Sequence, residues 1–277
     1  MSLTDISLTS GMRSNLISLQ STADLVNRTQ GRLSSGKKVN NALDNPTSFF
    51  TAQAYTNRAA DLSSRKDGMG DAIQTVKAAN TGITGITALL SAAKGIAQSA
   101  LSSASTATRT ALSTQYNTIM GQIDTMASDS GYNGTNLLKA ANLTVQFNED
   151  GSSSLAVTGF SAKHAGAVVT ATNATTWGGA AATNDTAIKT DSLKIDASLN
   201  NLRTQSQTMA ANLSVITVRQ DFTKGMIDTL TTGSDQLTLA DMNEEGANML
   251  MLQTRQQLGT SALSMSAQAA QSVLKLF

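Results

Sequence analysis

The feature that most constrains this chain is an apolar residue recurring on alternating steps of three and four, sustained through long stretches near both ends. Near the start the series is Met12, Leu16, Leu19, Ala23, Val26, Gln30 and Leu33. A longer one runs Leu62, Lys66, Met69, Ile73, Val76, Asn80, Ile83, Thr87, Leu90, Lys94, Ala97 and Leu101, and a shorter one Leu112, Tyr116, Ile119, Ile123 and Met126. Late in the chain come Ile195, Leu199, Leu202, Ser206, Met209, Leu213, Ile216, Gln220, Thr223, Ile227 and Leu230, then Leu258, Ala262, Met265, Ala269, Ser272 and Leu276. Such spacing puts one apolar stripe along a helix and lets it seat against a partner helix. Polar members of the series (Gln30, Asn80, Gln220) weaken it as a core and can fix register. With one proline, Pro46, in 277 residues, long helices go uninterrupted.

The side chains available fit helices packed side by side better than a compact enzyme core. Aromatics make up 4%, with a single tryptophan (Trp177), and the apolar content is Ala, Leu, Ile, Val and 11 Met. A formal charge of +1 gives no electrostatic footprint for nucleic acid or an anionic membrane. The start, Met1-Ser2-Leu3-Thr4-Asp5-Ile6, lacks the charged segment and apolar run of a secretory signal, and no run of about 18 apolar residues could span a bilayer. A protein exported by a specialised machine would look the same.

The expected fold is mainly α, with long amphipathic helices from both chain ends forming a coiled coil or helical bundle. One helix is expected over about Pro46–Leu101. Its glycines at 68, 70, 82, 85 and 95 fit close helix approach or local bends. The rhythm stops between about Asn142 and Asp185. Leu143-Thr144-Val145-Gln146-Phe147 alternates, Asn148-Glu149-Asp150-Gly151 supplies a turn, and Leu155-Ala156-Val157-Thr158 is extended again: a small central β-hairpin insert.

A search for chemistry finds little. His164, the only histidine, has no flanking motif and reads as an exposed loop residue; without cysteine, only carboxylates remain for a metal. The densest acidic cluster, Asp241 with Glu244 and Glu245, falls where a helix should begin, and fits an N-cap with an acidic N3 partner. No metalloprotease, P-loop or dinucleotide motif is present. Neither an enzyme nor any cofactor is expected.

Two blocks carry a resemblance. Gln30-Gly31-Arg32-Leu33-Ser34-Ser35-Gly36-Lys37-Lys38-Val39-Asn40-Asn41-Ala42-Leu43-Asp44-Asn45-Pro46 resembles the N-terminal block of bacterial flagellins. At the other end, Leu239-Ala240-Asp241-Met242-Asn243-Glu244-Glu245, Gln253-Thr254-Arg255-Gln256-Gln257-Leu258-Gly259 and Gln271-Ser272-Val273-Leu274-Lys275-Leu276 resemble the family's C-terminal helix. The likeness covers roughly residues 1–140 and 188–277, in the family's order.

The resemblance implies a structural subunit that self-assembles into the flagellar filament for swimming, secreted to the cell exterior through the type III export apparatus with a chaperone. Its implied partners are further copies of itself and the hook-associated junction and cap proteins, with no nucleic acid and no membrane insertion. A hook–filament junction protein shares both terminal blocks and is the alternative; the short middle segment favours the filament subunit. Domains are expected at 1–45 (N-terminal core helix), 46–141 and 188–238 (inner helical domain), 142–187 (small outer element) and 239–277 (C-terminal core helix). The assembly interface is expected at Leu16, Leu19, Val26, Leu33, Leu258, Leu263, Met265 and Leu276, with Leu258 and Leu263 seated against the N-terminal helix. Many flagellins carry an arginine-x-arginine-glutamate-leucine stretch contacted by the innate-immune receptor. Here the aligned segment has Ser91, Lys94 and Gly95, which implies weakened recognition.

Overall fold

The computed structural model describes residues 10–175, 177–178 and 181–274. Its elements are α1 (Ser10–Ser35), α2 (Pro46–Ser102), α3 (Thr106–Asp129), β1 (Leu143–Gln146), β2 (Ser154–Val157), α4 (Ala181–Thr238) and α5 (Met242–Leu274). The chain divides into two compact units, residues 1–57 with 229–277, and residues 58–228.

In the second unit α2 and α4 run antiparallel. Gln220 Nε2 donates to the Lys66 carbonyl at 3.2 Å, Ser206 Oγ to Asn80 Oδ1 at 2.8 Å, and Lys94 Nζ lies 2.5 Å from Asp196 Oδ1. Two polar interruptions of the stripe thus reach across the seam and set its register. The buried face of α4 repeats every seventh residue through Ile188, Ile195, Leu202, Met209 and Ile216. It packs in one core with Met69, Val76, Ile83, Leu90 and Ala97 of α2 and with Tyr116, Met120 and Ile123 of α3. Ser105 caps α3 by accepting from the Thr108 N–H.

The hairpin is antiparallel with Leu143 opposite Val157 and Gln146 opposite Ser154. Gly151 turns the chain at φ +73°, and Asp150 Oδ1 accepts from the Ser152 N–H. Val145, Phe147, Val157, Phe160, Val169, Ala171 and Trp177 are buried in the helical core. The segment expected to form an outer element therefore packs into the same body as the helices around it. Trp177 packs against Tyr116 with ring centroids 4.8 Å apart and planes tilted by 48°, and donates Nε1–H to Asp191 Oδ2 at 2.9 Å. Arg109, also buried, donates Nε–H to the Ser103 carbonyl and sits 2.7 Å from Asp185.

His164 is not a free loop residue. Asp124 Oδ1 accepts its backbone N–H at 2.8 Å, and its ring Nδ1 lies 2.9 Å from Asp124 Oδ2. A carboxylate from α3, distant in sequence, anchors the loop, and no local motif reveals such a partner.

Candidate assembly surface

The first unit is built around the antiparallel pair α1–α5. Its closed end is the motif between α1 and α2. Gly36 leaves α1 at φ +70°, where a side chain would be strained. Lys37 then bridges Leu239, Lys38 N–H donates to the Thr238 carbonyl, and Ala240 N–H donates back to Gly36. Asp44 Oδ2 accepts from the N–H groups of Asn40 and Asn41, and Asn45 caps α2 through Ser48 N–H with Pro46 at the first helical position. The two backbone bonds hold the Asp44 carboxyl below its ordinary range. Across the pair Arg32 Nη1 meets Glu245 Oε1 at 2.9 Å, with Glu245 buried. At the start of α5, Asp241 Oδ1 accepts from the Asn243 and Glu244 N–H groups, which is the N-cap expected from the acidic cluster.

Of the residues expected at the interface, Leu19, Val26, Leu33 and Leu263 are half-buried in this unit. Leu19 packs beside Gly259, whose missing Cβ would sit 3.0 Å from Leu19 Cγ. Leu16 is exposed, and Asn15 and Thr29 turn inward where Leu16 and Gln30 were expected. On α5 the difference is systematic. The face turned inward is Glu245, Met249, Leu252, Gly259, Leu263, Ser266 and Ala270, whereas Leu258 is 65% exposed, Met265 63% and Ala269 is exposed too. Leu258 thus does not seat against α1. Leu276 lies outside the described residues.

α5 therefore carries two stripes, about 120° apart around the helix at 3.6 residues per turn. The inner one is rich in small residues, so α1 can approach closely. The outer one, Met251–Leu258–Met265 at seven-residue steps with Ala269 four residues further on, has the larger side chains. The spacing pattern in the sequence marked the outer stripe. The signal for the inner one was the parallel series Leu252–Gly259–Ser266, which a hydrophobicity reading passes over because two of its members are small. Leu250, Leu25, Ile17, Phe50 and Leu43 in the same unit are also exposed.

The segment from Ser91 to Gly95 lies within α2. Ser91 bonds back to the Thr87 carbonyl, Lys94 is engaged by Asp196, and Gly95 is exposed with open space around it. Among the described residues no group of three or more His, Cys, Asp or Glu could hold a metal ion, and no helix is long and apolar enough to cross a membrane.

The family model for the bacterial flagellin N-terminal helical region matches residues 7–143. Flagellin FljM of Caulobacter vibrioides is 32% identical over the full length of both chains. The chain belongs to the bacterial flagellin family. A flagellin of Brucella melitensis is 30% identical over 95% of each chain. A solved flagellin of Bacillus cereus aligns with 56% of this chain and 88% of its own at 15% identity and a TM-score of 0.48. This flagellin is a structural subunit of the flagellar filament, and its first partner is another copy of itself.

Proposed function

We propose that the outer stripe of α5, centred on Leu258 and Met265, is the surface through which this flagellin adds to its filament, while α1 and the inner stripe hold the subunit's terminal helices together. The observation that carries this reading is the exposure of Met251, Leu258 and Met265 on one line of a helix whose other apolar line is already covered. A continuous apolar stripe is costly to leave in water, and a homopolymer supplies its cover in the form of the next subunit. Leu16, at the edge of the inner face of α1, joins the same surface, and Leu19, Val26, Leu33 and Leu263 support it from within.

The protein acts without catalysis or cofactor, as a secreted component of the extracellular filament. Export through the type III apparatus with a chaperone, and contact with hook-associated junction and cap proteins, follow from the family resemblance of both chain ends. It needs neither nucleic acid nor membrane insertion.

Ser91, Lys94 and Gly95 give this flagellin weak recognition by the innate-immune receptor, since Lys94 reverses the charge of the acidic position and is itself engaged by Asp196. Reporter cells should respond far less than to an arginine-bearing flagellin; an equal response would refute this. The assembly reading is tested by comparing side-chain footprinting of subunit and filament. Leu258 and Met265 should be labelled in the subunit and protected in the filament. Equal labelling in both states would place the assembly surface elsewhere.

A further inference from the structure

The methionines of this chain are sharply segregated. Met12, Met69, Met120 and Met209 are buried, and Met126, Met226 and Met249 are partly so. Among the described residues, the exposed ones are Met242 at 48%, Met251 at 45% and Met265 at 63%, all on α5. Two of these flank Leu258 at one heptad's distance on the outer stripe. A thioether there is soft enough to adapt to neighbouring side chains as subunits join. It is also the one kind of apolar side chain that a mild two-electron oxidant converts to a polar group.

We infer that Met251 and Met265 are an oxidation site that controls polymerisation: a peroxide-class oxidant converts them to sulfoxides in the free subunit, and the oxidised subunit does not add to a filament. This rests on the reading of the outer stripe as the assembly surface. In each step the thioether sulfur attacks one oxygen of hydrogen peroxide, an S–O bond forms as the O–O bond breaks, and water leaves. The sulfur loses the two electrons that the peroxide gains. The product places a strong S=O dipole in a seam that offers it no hydrogen-bond donor from Leu258 or Ala269. Burial in the filament covers the same sulfurs, so the susceptible window is the subunit before it joins.

The experiment treats purified full-length subunit with graded hydrogen peroxide, reads sulfoxide at each methionine by peptide mass spectrometry, and measures growth from filament seeds. Met251 and Met265 should oxidise well before Met69, Met120 and Met209, and seeded growth should fall at least tenfold in step with them. A methionine sulfoxide reductase with a dithiol should restore growth. The variant M251L/M265L, whatever its own rate of seeded growth, should grow at the same rate before and after peroxide. In preformed filaments both sulfurs should be protected. Subunits with both residues converted that grow at the untreated rate would overturn the inference, as would equal peroxide sensitivity of M251L/M265L. The Leu258→Asp subunit separates the two layers of the argument. If it fails to grow while oxidised wild type grows normally, only the oxidation site is wrong; if it grows normally, the assembly surface itself is wrong.

Discussion

At the scale of single residues, the glycines of the long helices fall into two kinds. A Cβ at Gly82 would run into Ser130 Oγ and Leu138 Cδ1, and one at Gly85 into the Met126 sulfur. Gly95 has nothing within 4 Å. Gly95→Ala should therefore stabilise the subunit by up to about 1 kcal/mol, the helix-propensity gain. Gly82→Leu should destabilise it by about 1–3 kcal/mol through overpacking against buried Leu138. Thermal unfolding followed by circular dichroism checks both signs. Tyr116 offers a pH test. Burial, with the nearby Asp191 charge, pushes its phenol well above the ordinary value of 10.0. The folded state then holds this proton more tightly than the unfolded chain. Its stabilisation is complete below the unfolded value and is lost as pH rises beyond it. Ultraviolet titration should show Tyr116 ionising last, together with alkaline unfolding; ionisation before unfolding would contradict the buried environment.

At the scale of elements, α5 holds the main lesson. Leu252 is 5% exposed on the inner stripe, so Leu252→Ala should cost the subunit about 2–5 kcal/mol in denaturant unfolding. The same substitution at Leu258 should change subunit stability by no more than about 0.5 kcal/mol, as for other surface positions. Much of the architecture was legible in the sequence. The α4 series Ile195–Leu202–Met209–Ile216 lies buried along the seam, Pro46 opens α2, and the hairpin falls at its alternating residues. These succeeded because each stripe has a single face to bury. On α5 the same spacing marks Leu258 and Met265, and of the inner face only Leu263, because Gly259 and Ser266 are small. Apolar periodicity shows that a stripe will be covered, but not whether the cover comes from the same chain or the next. His164 and Asp124 illustrate the other limit, since their pairing is set by tertiary approach and leaves no local trace.

At the scale of the whole molecule, the proposed assembly surface gives the chain's two terminal helices one face for each other and one face for neighbouring subunits. The second unit has a core of its own, with buried Trp177 and the seven-residue seam of α4, and Leu258 and Met265 are exposed. Polymerisation and subunit stability should therefore separate under mutation. The most direct test is seeded filament growth by Leu258→Asp subunits, with unfolding of the same preparation as the control. The subunit should be as stable as wild type and should not extend seeds, because each addition would bring a carboxylate into an apolar seam. Filaments of normal length from Leu258→Asp subunits would contradict it.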